Sequence, residues 1–187
     1  MRTYLYYKVE VRDPDGKLLK RERRKSRSYV RQWNDIVAAQ AGAGTQSVKD
    51  TGGTSRSVTT HANNLRFSAA AADDAVGIVV GSGVIAVTIV DFNLRTKITE
   101  GTGAGQLNYQ ASTPGDPAIS GSSCSFETSR AAINNSGATV TVKEIGINIR
   151  GASTPYYFLG VRDVLAASLD VPHGGAITIT YTIKVTV

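Results

Sequence analysis

The sequence predicts a mainly β protein: an antiparallel β-sandwich or jelly-roll-like body with an N-terminal β-hairpin and one short α-helix. Three observations carry this. Apolar and polar residues alternate at period two, most cleanly in 177–187. There Ile177, Ile179, Tyr181, Ile183, Val185 and Val187 share one face, and Thr178, Thr180, Thr182, Lys184 and Thr186 the other. Turn-forming clusters ("GSG", "TPGDP", "NNSG", "GAST", "PHGG") punctuate the second half at short intervals. Only one stretch of the chain has convincing helical spacing.

The elements follow in order. Leu5, Tyr7, Val9 and Val11 fall on one face of a first strand. Asp13-Pro14-Asp15-Gly16 is a turn: proline has the fixed φ of the second turn position, and glycine accepts a positive φ. A returning strand is expected from Lys17 to about Lys25. A helix follows, with Ser28 as its expected N-cap. Tyr29, Trp33, Ile36 and Val37 line one side, and Gly42 and Gly44 end it. Residues 42–61, rich in Gly, Ser and Thr, read as a linker or loop. Strands are then expected over 65–69, 77–80, 86–92, 106–110, 123–129, 139–149, 156–162 and 176–187. In "TVTVKEIGINI", Val140 and Val142 are out of phase with Ile145, Ile147 and Ile149, so a β-bulge is expected at Lys143-Glu144. The organisation expected is a hairpin-plus-helix arm (1–41), a linker (42–61) and a β-sandwich body (62–187).

A chain of 187 residues is long enough for one domain with a real core. Its net charge of +6 is unevenly placed. Residues 1–35 hold eleven Lys/Arg and five Asp/Glu, whereas residues 36–187 hold ten of each. Cys124 is the one cysteine, so no disulfide within the chain and no cysteine-based zinc site is expected; it reads as a small buried hydrophobe. No apolar run approaches the ~20 residues of a membrane helix, and the N-terminus lacks a signal-peptide core. A soluble protein without membrane contact is expected.

Several motifs resemble chemistry. "GSGVIA" matches G-x-G-x-x-A at Gly81, Gly83 and Ala86. A dinucleotide site needs a helix N-terminus next, and the β-branched "VIAVTIVDF" reads as a strand. "GTGAGQ" lacks the Lys and Ser/Thr of a phosphate loop. His61 and His173 have no ligand partner at metal-binding spacing. Asp73, Asp74, Asp91 and Glu100 read as solvated turn or cap residues. No catalytic residue, no metal site and no cofactor is expected, so the chain reads as a non-enzyme.

The densest signal is the basic stretch. Lys17, Lys20, Arg21, Arg23, Arg24, Lys25, Arg27 and Arg31 are the expected contact residues for nucleic acid or a partner. Three readings stand open for them: nucleic-acid phosphates, the acidic surface of a neighbouring protein, or an edge strand guarded against aggregation. Tyr29, Trp33, Ile36 and Val37 are the expected interface or helix anchors.

The blocks "SYVRQWNDIVAAQ", "VKDTGGTSR", "GIVVGSGVIAVTIVDFNLRTKITEGTGAGQLNY", "INNSGATVTVKEIGI" and "YYFLGVRDVL…VPHGGAITITYTIKV" occur in this order over residues 20–187. Together they resemble uncharacterised virion structural proteins of tailed bacteriophages and phage-like metagenomic sequences. The resemblance implies a self-assembling, homo-oligomeric viral protein located in the virion and made in the host cytoplasm: capsid coat, decoration protein or tail component. It brings no catalytic residues. Its partners would be copies of itself, other virion proteins and nonspecific nucleic acid. The alternatives are a free nucleic-acid-binding protein and a host- or glycan-binding sandwich module of a fibre. Against the last stands the shortage of aromatic residues, with Trp33 the one tryptophan.

Overall fold

A computed structural model of the chain describes residues 2–26, 28–151 and 156–187. The protein is mainly β and antiparallel. Strand β1 (Arg2–Arg12) and strand β2 (Leu18–Ser26) form the expected hairpin. Its turn is closed by Asp13, whose N–H donates to the Lys17 carbonyl and whose carboxylate accepts the N–H groups of Asp15 and Lys17. Gly16 takes the positive φ (81°) that the turn requires.

The hairpin is built into the body. β1 pairs along its whole length with the last strand, β11 (Ala176–Thr186), from Arg2↔Thr186 to Arg12↔Ala176. β11 in turn pairs with β8 (Ser123–Ile133), which carries the short strands β6 (Asn108–Tyr109) and β7 (Ala118–Ser120). The larger sheet therefore runs β2-β1-β11-β8-β6, and the first residues are central to it rather than a detached arm. The reason is the alternation itself: Leu5, Tyr7, Val9 and Val11 need a buried face.

A second sheet, β10-β9-β5, consists of β5 (Gly77–Gly81), β9 (Val140–Gly151) and β10 (Tyr156–Val171). The two sheets share one core. Val9, Val11, Ile177, Ile179 and Tyr181 of the larger sheet pack with Ile78, Val80, Ile145, Ile147, Ile149, Phe158 and Val161 of the smaller. Each fully buried aliphatic side chain here contributes roughly 1.5–3 kcal/mol. The phase slip in β9 is resolved as expected, since Val140, Val142, Ile145, Ile147 and Ile149 all reach this core. The irregularity falls at Lys143, but the extra residues are in β10: Val164 faces Glu144, Leu169 faces Val142, and of the residues between them Leu165 stays in the core while 166–168 arch out.

Helix α1 (Arg31–Gln40) lies against β10. Its N-cap is Val30, without a side-chain cap; Ser28 lies two residues too early to cap it, and its hydroxyl donates to Asp163 at 2.7 Å. Residues 28–30 run along the free edge of β10, with Val30 N–H donating to the Gly160 carbonyl and Arg162 N–H to the Ser28 carbonyl. The expected linker contains a small hairpin, β3 (Gln46–Lys49) and β4 (Ser55–Val58), whose Val48 and Val58 enter the core beside Ile36 and Ala39.

Two expected strands are not formed. Residues 65–69 are a turn and a single bridge, Ala69↔Ser112. Residues 86–92 contain no strand; they belong to a long excursion, 82–97, that crosses the outer face of the smaller sheet. Leu94 packs there with Val30, Val79 and Leu159 in a second small apolar cluster. The turn expected at 151–154 lies, beyond Gly151, outside the described residues.

Candidate functional site

The excursion 82–97 is held by buried charge. Arg162 and Glu144 project from β10 and β9 on the outer face of the smaller sheet, and both are 0% exposed. The Arg162 Nε–H donates to Glu144 Oε2 at 2.8 Å, Nη1 to Asp91 Oδ2 at 2.8 Å, and Nη2 to the Ile85 carbonyl at 2.9 Å. The other Glu144 oxygen accepts the N–H groups of Gly83 (3.1 Å) and Thr96 (2.8 Å). Asp91 also accepts from the Thr88 N–H and hydroxyl and from Arg95. Burial pushes the Asp91 carboxyl up, but the Thr88 donors and Arg162 outweigh it and hold it below the usual carboxylate range. Asp91 is thus a buried partner, not the solvated turn residue the sequence suggested.

The glycine pattern "GSG" now has a cause. A Cβ on Gly83 would lie 2.5 Å from Glu144 Oε1, and one on Gly81 2.6 Å from it. The backbone does cradle an anion, as such glycines do in nucleotide sites, but the anion is the protein's own Glu144 carboxylate.

This anchorage turns backbone inward and side chains outward. Between the anchor points, Val84 (64% exposed), Ile85 (59%), Ile89 (62%) and Val90 (63%) face solvent. The Ile89 carbonyl is fixed too, accepting the Arg31 N–H at the start of α1. Four large aliphatics are thus exposed on a segment whose backbone is fixed at Gly83, Ile85 and Ile89. A separate apolar recess lies at the far end of the larger sheet, lined by Ile119, Cys124, Val185 and Val187. Cys124 is half-buried there rather than a core residue.

The basic strand β2 is the edge of the larger sheet. Lys17 sits in the exposed turn before it. Lys20 reaches the Ser168 carbonyl in the β10 arch. Arg21 pairs with Glu10 at 2.6 Å, and Arg24 with Glu22 at 3.1 Å. Lys25 lies 4.3 Å over the Tyr4 ring. Arg23 has no acidic partner among the described residues. Arg27 lies outside the described residues. Arg31 is apart from the others, paired with Asp35 on the helix. The strand therefore splits its cations between two faces. Arg21, Arg23 and Lys25 share the outer face; Lys20 and Arg24 lie on the inner side, where Lys20 reaches the β10 arch.

Of the expected anchors, Ile36 is fully buried, and Tyr29 and Trp33 pack on each other (ring centroids 4.9 Å) against the core. Val37 is 39% exposed and anchors nothing; Ala39 takes that place in the core.

Besides the Arg162–Glu144 pair, sequence reasoning missed two further buried polar centres. Arg130, 2% exposed, spends its guanidinium on five backbone carbonyls: Gln110, Val76, Ile78, Ala70 and Asp73, at 2.6–3.1 Å. It sits in phase with buried Ala132 on β8, a signal visible only once that strand's inner face is known. Between the sheets, Asp163 accepts from the Ser28 and Tyr181 hydroxyls, near Tyr7 and Glu22. Burial pushes the Asp163 carboxyl above its usual range.

No family model, curated protein or solved structure matches the chain. Among the described residues, no group of three or more His, Cys, Asp or Glu side chains converges as a metal site would require. His61 accepts the Asn63 N–H, closing a turn, and His173 accepts the Gly137 N–H, joining two separate turns. In "GTGAGQ", Gly103 N–H donates to the Gln106 side chain, so the loop is closed on itself. Asp73, Asp74 and Glu100 accept backbone N–H groups at Ala75, Glu100 and Tyr109. No described helix is long and apolar enough to cross a membrane.

Proposed function

We propose that this chain is a non-enzymatic, self-assembling structural subunit of a bacteriophage virion: a capsid coat, decoration or tail component. The observation that carries the assembly reading is the 84–90 excursion, with four exposed aliphatics on a base fixed by Arg162, Glu144 and Asp91. A surface already rigid loses little conformational entropy on docking, so modest contact area yields useful affinity.

The partner that fits is a second copy. One subunit carries two apolar surfaces on different sheets, the excursion and the Ile119/Val185/Val187 recess. Joining unlike surfaces of identical chains makes a heterologous contact, which propagates into rings, tubes or shells. The charge excess of +6 lies in residues 1–35, whereas both apolar surfaces lie in residues 36–187, which carry no net charge. The ordered blocks over residues 20–187 supply the phage and virion part of the reading.

Light scattering with negative-stain electron microscopy tests it. Regular rings, tubes or shells are expected, and they should be lost in an Ile85→Lys/Ile89→Lys variant that keeps its circular dichroism spectrum. A strictly monomeric wild type at high concentration would refute the assembly reading.

A further inference from the structure

The larger sheet has an outer face that the assembly reading does not use. Tyr4, Tyr6, Lys8 and Glu10 of β1 lie on it, opposite Tyr7, Val9 and Val11, which enter the core. The register places Lys25 beside Tyr6, Arg23 beside Lys8 and Arg21 beside Glu10 on the β2 side. On the other side Lys184 lies beside Tyr4, Thr182 beside Tyr6 and Thr180 beside Lys8. Beyond them, Ser125, Glu127 and Ser129 of β8 continue the face.

Three features of this face belong together. It holds five cations (Lys8, Arg21, Arg23, Lys25, Lys184) and two carboxylates, Glu10 and Glu127. Glu10 is engaged by Arg21 and Lys8, and Glu127 accepts the Thr182 hydroxyl. Tyr4 and Tyr6 stand in a row, ring centroids 6.1 Å apart and planes 29° from parallel, with Lys25 over the first ring. The remaining positions are small hydroxyl residues, which leave the rings and cations standing above a low floor. A groove of about 250 Å³ runs between Tyr6, Lys8, Arg23, Glu127, Thr180 and Thr182.

We infer that this face binds single-stranded nucleic acid. Aromatic rings in a row on a cationic sheet stack unpaired bases while the flanking cations meet phosphates. A duplex keeps its base faces inside its own stack, so it can use the cations but not the tyrosines. An acidic protein surface can use the cations alone in the same way. The basic residues of β2 thus serve one extended surface together with Lys8 and Lys184, and Tyr4 and Tyr6 supply the preference for unpaired bases. The inference does not depend on self-assembly, because the 84–90 excursion lies on the other sheet and the Ile119/Val185/Val187 recess on the opposite face of this one.

The test is fluorescence anisotropy of a labelled oligothymidylate of about 15 nucleotides, a matching duplex, heparin and polyglutamate. Oligothymidylate is expected to bind most tightly, with affinity falling steeply between about 50 and 200 mM salt. Tyr4→Thr and Tyr6→Thr suit a strand and match the neighbouring residues. Each is expected to weaken oligothymidylate by about five- to a hundredfold while heparin affinity stays unchanged. Arg23→Ala should weaken oligothymidylate and heparin alike and lower the salt slope by about one. No oligothymidylate binding at low salt overturns the inference. So does equal affinity for oligothymidylate and duplex with no effect of the tyrosine variants, which is the outcome of a plain polyanion or acidic-protein surface. Circular dichroism of each variant separates lost binding from lost fold.

Discussion

Glu144 occupies the space that a side chain at Gly83 would fill: its Oε1 accepts the Gly83 N–H at 3.1 Å and would lie 2.5 Å from a Cβ there. The carboxylate cannot step aside, because Arg162 holds its other oxygen and both groups are fully buried. Gly83→Ala should therefore lower stability by about 1–3 kcal/mol, the usual cost of overpacking a filled site. Urea unfolding measures it. Limited proteolysis should show earlier cleavage within 84–90 in the variant.

Arg162 stands between two carboxylates, so removing it alone strands buried negative charge. Arg162→Met should destabilise by about 3–5 kcal/mol. Adding Glu144→Gln and Asp91→Asn to it should recover part of that loss, since no uncompensated charge then remains. Non-additivity in a mutant cycle, read from urea midpoints, checks this. Additive losses would mean that the three groups act independently.

Arg130 ties residues 70–78 and 110 to β8 through five carbonyls. Lysine has three donors, so Arg130→Lys gives up at least two of the five hydrogen bonds, at about 1–3 kcal/mol each. A lowered thermal midpoint is expected, with faster hydrogen exchange at Ala69 and Ser112. These two residues bridge next to the segment that Arg130 holds.

Asp163 has the opposite pH behaviour to Asp91. Burial raises its folded pKa above the unfolded value near ~3.9, despite the Ser28, Ser26 and Tyr181 hydroxyls that favour the charged form; nearby Glu22 adds to the rise. The folded state therefore binds the proton more tightly. Its stabilising contribution is complete below the unfolded pKa and is lost as pH rises through the folded one. Asp91, held low, contributes above the unfolded pKa and loses that contribution as pH falls through its folded value. Asp163→Asn should keep the hydroxyl contacts and remove the decline above about pH 4. Urea unfolding across a pH series checks it; an unchanged pH profile would contradict this account.

The sandwich was legible because its strands alternate. The faces of 5–11 and 177–183 are written in the residues themselves, and so was the irregularity in β9, where Ile145 is out of phase with Val142. The 84–90 stretch misled for the same reason. "VIAVTIV" alternates and is β-branched, yet its partners would have to lie where Glu144, Arg162 and Leu94 already cover the sheet. Ser28 misled in another way: its hydroxyl suits a helix cap, but residues 28–30 are taken up along the edge of β10, and the helix starts only at Arg31. The hairpin in 46–58 was hidden because four-residue strands with one buried valine each show too little pattern.

The sequence by itself determined the class of fold, the turn at Asp13–Gly16, the helix after the basic strand and the concentration of charge near the N-terminus. These follow from local conformational preference and from period-two burial, which act over a few residues. Only the tertiary structure decided that the charged strand is the edge of the main sheet, that Tyr4, Tyr6, Lys8 and Lys184 stand beside its cations, and that Gly83 makes room for Glu144. Such pairings join residues up to about 180 positions apart, as at Tyr4↔Lys184. They are settled by which faces can be buried together, and no short window of sequence contains that information.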